Sequence, residues 1–164
     1  MGISVETARI LVGELSRAAG GGGMVGGQVL DLLGEDRDLS APELDDLHRR
    51  KTGALLRASL RIGALAAACS REELAALDRY GECIGLAFQV ADDLLDATSS
   101  AEALGKVPSD AELGKSTYVS LFGLEKARRK ADELVVEAQG SLEDGGLDSP
   151  ELWALARYIV DRTR

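Results

Sequence analysis

Aromatic residues make up only 4% of this 164-residue chain, prolines number three, cysteines two, and His48 is the sole histidine. Each shortage excludes something. With β-branched and aromatic residues few and Ala and Leu abundant, the chain lacks the side chains that suit a pleated sheet and reads as all-α. Cys69 and Cys83 stand in apolar surroundings, with no paired-cysteine spacing and no histidine beside them. They read as packing residues of a reducing compartment, neither zinc ligands nor a disulfide. One histidine gives no basis for imidazole acid–base or nucleophilic chemistry. No apolar run approaches the ~20 residues of a membrane span. Met1 to Ala19 lacks a signal-peptide pattern, and the glycine-rich lysine motif of phosphate-binding loops is absent. The net charge of -9 argues against general nucleic-acid binding. The expectation is a single helical domain over residues 1–164, cytoplasmic, with enough chain for a real core.

What the chain does have is organised around Phe88-Gln89-Val90-Ala91-Asp92-Asp93-Leu94-Leu95-Asp96, three carboxylates set into an apolar helical run. At 100° per residue Asp92 and Asp96 fall one turn apart on one face, with Asp93 beside them. Like charges this close oppose folding unless a cation neutralises them, and a helix C-terminus adds to the penalty. The stretch therefore predicts a hard-cation site.

The remaining elements follow from apolar periodicity and caps. Ser4 to Ala18 is predicted helical, with Val5, Ala8, Leu11, Val12 and Leu15 as its stripe, ending at Gly20-Gly21-Gly22-Gly23. Met24 to Leu33 is a short helix placing Gln28 and Asp31 on one face, a pair that by itself reads as surface. Its Gly26 and Gly27 would admit a close neighbour. Ser40 and Glu43 form a capping box opening a helix that runs to about Ala68 and contains His48-Arg49-Arg50-Lys51-Thr52-Gly53. There Asp45 and Asp46 read as a solvated face, and a basic cluster of this kind is ordinarily solvated too. Ser70 and Glu73 cap the acidic helix. Residues 97–116 form a polar connector in which Lys106 and Lys115 each follow a glycine, a lid able to grip phosphate oxygens. Thr117 to Leu142 is helical with a break at Gly123, and Ser149-Pro150 opens a last helix expected to bury Trp153, Leu155, Ala156 and Ile159.

Four stretches carry a family resemblance: GGQVLDL at 26–32, HRRKTGALLRA at 48–58, GLAFQVADDLLD at 85–96, and LGK followed by ELGKSTY within 104–118. In order and over nearly the whole chain they resemble trans-isoprenyl diphosphate synthases, specifically the C-terminal half of bacterial farnesyl and geranylgeranyl diphosphate synthases. The resemblance implies an isoprenoid-synthase helical bundle and a Mg²⁺-dependent condensation of isopentenyl diphosphate with an allylic diphosphate. It implies that Asp92, Asp93 and Asp96 bind metal, with Lys51, Asp92 and Asp93 central to catalysis. It further implies that Lys51, Lys106 and Lys115 contact diphosphate, that Thr52, Gln89, Gln28 and Asp31 line the cavity, that Phe88 packs near the isopentenyl group, and that Asp110 lies in the outer metal shell. The family's first aspartate-rich motif is not among the 91 residues before Asp92. Half of an enzyme is therefore expected, with uncovered apolar faces and a homo- or hetero-oligomer; the competing reading is a non-catalytic subunit that pairs with a full-length synthase. A terpene cyclase fits less well, because its second metal motif mixes Asn, Ser and Glu.

Overall fold

The computed structural model describes residues 2–35, 37–98 and 115–161, and every regular element among them is helical. In chain order these are α1 (Val5–Ala19), α2 (Met24–Leu33), α3 (Ala41–His48), a π-helical turn (Arg49–Gly53), α4 (Ala54–Ala66), α5 (Arg71–Thr98), α6 (Tyr118–Phe122), α7 (Leu124–Asp144) and α8 (Pro150–Asp161).

The starts are fixed by side chains, as expected. Glu43 accepts the Ser40 amide at 2.8 Å, and at α5 Glu73 accepts the Ser70 amide at 2.7 Å while Ser70 Oγ accepts the Glu73 amide at 3.1 Å. Gly123 separates α6 from α7 at φ 81°, a conformation that costs a side-chain-bearing residue energy and glycine little.

The 28-residue α5 is the axis of the molecule. It buries Tyr80, Ile84, Ala87, Val90 and Leu94 against α7, whose Ala131, Leu134, Val135, Ala138 and Leu142 form the opposing face. Each large aliphatic side chain removed from water contributes about 1.5–3 kcal/mol. On its other side α5 meets the π-helical turn so closely that a Cβ on Gly85 would lie 2.8 Å from the Gly53 Cα. Tyr80 Oη donates to the Leu152 carbonyl at 2.6 Å and anchors α8.

Helix α1 is attached differently. It buries no residue fully; it lies along α4, where Arg61 bonds Glu14 of α1 at 2.8 Å and Asp78 of α5 at 2.9 Å, and Arg57 bonds Asp78 at 2.7 Å. The apolar stripe of α1 is largely in solvent, with Val5, Val12 and Leu15 exposed, as are Val25, Val29, Leu32 and Leu33 of α2, the uncovered faces expected of half a bundle. One expectation fails at α8. Ala156 and Ile159 are buried, but Trp153 and Leu155 are exposed, because the contacts of this terminal helix with α5 and α7 cover only one narrow face. The helix predicted from Ser40 to about Ala68 is interrupted by the π-helical turn, an insertion that sequence periodicity does not reveal and that occurs often at functional sites.

Candidate functional site

A cavity of about 290 Å³ opens between α2, α3, the π-helical turn, α5 and residues 115–116. Leu39, Leu44, Leu47 and Phe88 supply its apolar wall; Asp31, His48, Lys51, Thr52, Gln89, Asp92, Asp93, Lys115 and Ser116 supply its polar one. Of the residues singled out from sequence, Lys51, Thr52, Phe88, Gln89, Asp92, Asp93, Lys115 and Asp31 thus come together. Gln28 is exposed on α2 and does not border the cavity: it sits three residues before Asp31, and only Asp31 is turned toward Lys51. Asp96 is half-buried one turn beyond Asp92 and outside the cavity wall. Lys106 and Asp110 lie outside the described residues.

Backbone proximity builds the cationic end. Gly27 brings α2 against the π-helical turn, where an added Cβ would stand 2.2 Å from the Lys51 amide nitrogen. That approach lets Asp31 Oδ2 accept from Lys51 Nζ at 2.8 Å and from Lys115 Nζ, 84 residues away in sequence, at 3.2 Å; Lys115 also lies 3.4 Å from Glu35. Desolvation pushes the Asp31 carboxyl up, but the hydrogen bonds and charges of Lys51 and Lys115 outweigh it and hold the group below its ordinary value of 3.8. Asp31 is thus an internal anion holding two ammonium groups side by side. Asp31 and Gln28, read alone as a surface pair, part company here.

The acidic end is less symmetrical than its sequence. Asp92 is half-buried and accepts from Gln89 Nε2 at 3.3 Å. Asp93, one residue on, is buried: its Oδ2 accepts the Tyr118 amide at 2.7 Å and lies 3.8 Å from His48 Nε2. Among the described residues no three His, Cys, Asp or Glu side chains gather as a metal cluster; Asp92 and Asp93 both border the cavity, and 100° of helical rotation buries Asp93 more deeply.

Four participants escaped the sequence reading. His48 is buried, stacks on Tyr118 at 5.9 Å between ring centroids, and has no hydrogen-bond partner among the described residues at either ring nitrogen. Asp45, expected in a solvated face, is half-buried and accepts the Tyr118 hydroxyl. Burial, with Asp45 next, pushes the Tyr118 phenol up. Ser116 Oγ accepts the Leu39 amide at 2.9 Å and donates to the Arg37 carbonyl at 3.2 Å, tying the start of this segment to the α2–α3 connector. His48, Ser116 and Tyr118 fell within quoted motifs, but nothing in spacing marked them.

The polyprenyl synthetase family model matches residues 10–145, and with them both ends of the cavity. The chain belongs to that family. Farnesyl diphosphate synthase of Escherichia coli is 48% identical over 159 residues, covering 94% of this chain and 53% of that one. Among solved structures, a putative farnesyl-diphosphate synthase from Marinomonas superposes with a TM-score of 0.81 at 40% identity, over 95% of this chain and 53% of that one. A Helicobacter pylori geranyltransferase complexed with magnesium and isoprenyl diphosphate gives 0.80 at 32% identity, over 98% and 53%. As a polyprenyl synthetase this chain spans about half the length of the relatives it matches. The all-α isoprenoid-synthase bundle read from sequence stands, as does the resemblance to the C-terminal half of these enzymes. No helix among the described residues is long and apolar enough to cross a membrane.

Proposed function

We propose that this chain supplies the C-terminal half of a Mg²⁺-dependent prenyltransferase that condenses isopentenyl diphosphate with an allylic diphosphate in the cytoplasm, active only together with the half of the bundle that the matched relatives carry besides it. The observation that carries this reading is the meeting of Lys51 and Lys115 on Asp31, in the same cavity as Asp92 and the apolar Phe88. Two cations already held side by side on one carboxylate can exchange it for diphosphate oxygens with little reordering, and charge-assisted bonds of this kind are the strong ones. Thr52 and Gln89 would add neutral donors, and Lys106 would join from the connector.

The donor set fits the metal. Mg²⁺ keeps several ligand positions for water and phosphate and takes one or two carboxylates from protein. Asp92, with Asp96 one turn away on the same face, supplies oxygen donors of that kind, while Asp93 is engaged with the Tyr118 amide. Mg²⁺ held there would take up negative charge as the allylic diphosphate departs. The lysines share that charge. Phe88 and the leucines exclude water from the hydrocarbon tail, and no imidazole is required.

Uncovered α1 and α2 support the half-enzyme: apolar side chains that a complete bundle would cover stand in water. The same surface favours the second reading, a non-catalytic subunit paired with a full-length synthase. Turnover separates them. Labelled isopentenyl and dimethylallyl diphosphates are supplied to the chain alone and to the chain refolded with the unmatched half of the Escherichia coli enzyme. Product is expected only in the mixture, and it should vanish with Lys51→Ala. Full activity of the lone chain contradicts the half-enzyme reading; an inactive but stable complex favours the subunit.

A further inference from the structure

The second aspartate of the acidic motif, Asp93, is held inside the fold. Its carboxylate is 7% exposed and faces a peptide N–H at 2.7 Å, a charge-assisted bond that stabilises a buried anion. The residue it holds, Tyr118, is 4% exposed and fixed from three other directions: its hydroxyl donates to Asp45, its ring lies over His48 with an interplanar angle of 17°, and its backbone opens α6 beneath the Thr117 cap. His48 Nε2, at 3.8 Å from the same oxygen, is too far for a direct hydrogen bond, so the imidazole contributes bulk and stacking.

Lys115 lies three residues before Tyr118. An extended chain covers at most about 3.6 Å per residue, so fixing the Tyr118 amide confines the Lys115 backbone to within roughly 11 Å of it. Ser116, bonded to Leu39 and Arg37, removes most of the remaining freedom. The Lys115 ammonium then lies against Asp31. A cation drawing on the same oxygen of Asp93 would compete with the Tyr118 bond and loosen the lysine that the diphosphate needs.

We propose that Asp93 is a positioning residue, which holds Tyr118 and through it Lys115, and that cation ligation in this motif belongs to Asp92 and Asp96. The assignment rests on the diphosphate site argued above. An asparagine can still accept the Tyr118 amide through its carbonyl but, being uncharged, is a weaker cation ligand than a carboxylate, so conservative variants separate the roles. Calorimetry with inorganic diphosphate, titrated at several Mg²⁺ concentrations, is run on the full chain and on Asp92→Asn, Asp93→Asn, Asp93→Ala, Lys115→Ala and Asp93→Ala/Lys115→Ala. Asp92→Asn is expected to raise the Mg²⁺ requirement. Asp93→Asn should leave that requirement unchanged and hold diphosphate affinity within about threefold of wild type, a loss smaller than one neutral hydrogen bond. Asp93→Ala should weaken diphosphate about tenfold, the loss of one such bond, and that loss should disappear in the Lys115→Ala background. If wild type binds but Asp93→Asn raises the Mg²⁺ requirement as Asp92→Asn does, or the Asp93→Ala loss persists without Lys115, this assignment is overturned and the diphosphate site survives. If wild type takes up no diphosphate with Mg²⁺, the site itself falls and the assignment with it. Asp93→Asn decides the matter even where Asp93→Ala fails to fold.

Discussion

Replacing Gly27 by alanine should destabilise the protein and open the cationic end of the site together. The new methyl carbon would stand 2.2 Å from the Lys51 amide nitrogen, 2.5 Å from its Cα and 2.8 Å from the Arg50 carbonyl carbon. All three are backbone atoms, so no side-chain rotation relieves the contact. Ordinary contact begins near 3.4 Å, and α2 must move about 1 Å away from the π-helical turn to reach it. The Lys51–Asp31 bond, now 2.8 Å, would then be stretched past hydrogen-bonding range. Overpacking of this kind costs about 1–3 kcal/mol. The lost ion pair adds about 1 kcal/mol, taken at the low end because a third of the lysine side chain is solvated. Alanine's better helix propensity returns about 1 kcal/mol. The net loss of about 1–3 kcal/mol corresponds to a fall in melting temperature of roughly 3–10 °C for a chain of this size. Gly140→Ala is the control. It lies within α7, where an added Cβ meets nothing within 4 Å, and it should stabilise by about 0.5–1 kcal/mol. Thermal unfolding followed by far-ultraviolet circular dichroism compares the two. A Gly27→Ala protein as stable as wild type, beside a stabilised Gly140→Ala, would refute the close-approach argument.

The protein should be acid-labile. The Asp31 and Asp78 carboxyls are pushed up by desolvation but held below their ordinary values by Lys51 and Lys115 and by Arg57 and Arg61 respectively. A depressed folded-state value means that their contribution is complete above the unfolded-state value near 4 and is lost as pH falls through the lower folded-state value. Urea midpoints should therefore drop below about pH 4, and less steeply in Asp78→Asn; midpoints that rise with acid would contradict the ion network. The two thiols should differ in reactivity. Burial, with Glu137 and Glu82 adding to it, pushes the Cys83 thiol up to about 11, so iodoacetamide at mildly alkaline pH should modify the half-buried Cys69 first. Peptide mass mapping that finds Cys83 alkylated first would show that α5 is less well packed than described.

Local rules explain why most of the fold was legible. The capping boxes at Ser40 and Ser70, the break at Gly123 and the apolar rows of α5 and α7 depend on residues within a turn or two, and they form where periodicity puts them. The cavity was legible through the order of the motifs, since Lys51, Thr52, Phe88, Gln89, Asp92 and Lys115 meet in it. What was hidden depends on distant partners. Asp93 looked equivalent to Asp92 because helical rotation separates their environments only once Tyr118, 25 residues away, is in place. Trp153 and Leu155 looked like core because periodicity marks an apolar face without saying whether another helix covers it, and the exposed stripe of α1 has the same cause. The π-helical turn has no signal in propensity; it arises where Gly27 and Gly85 press backbone against backbone on either side of Lys51 and Gly53.

We propose that this cavity binds a diphosphate through a metal held by the acidic motif. Titration of the chain with inorganic diphosphate by calorimetry, with and without Mg²⁺, on wild type and Asp92→Ala, tests it most directly. Binding is expected only when Mg²⁺ is present and only while Asp92 is intact; binding that needs no metal, or that survives Asp92→Ala unchanged, would contradict it.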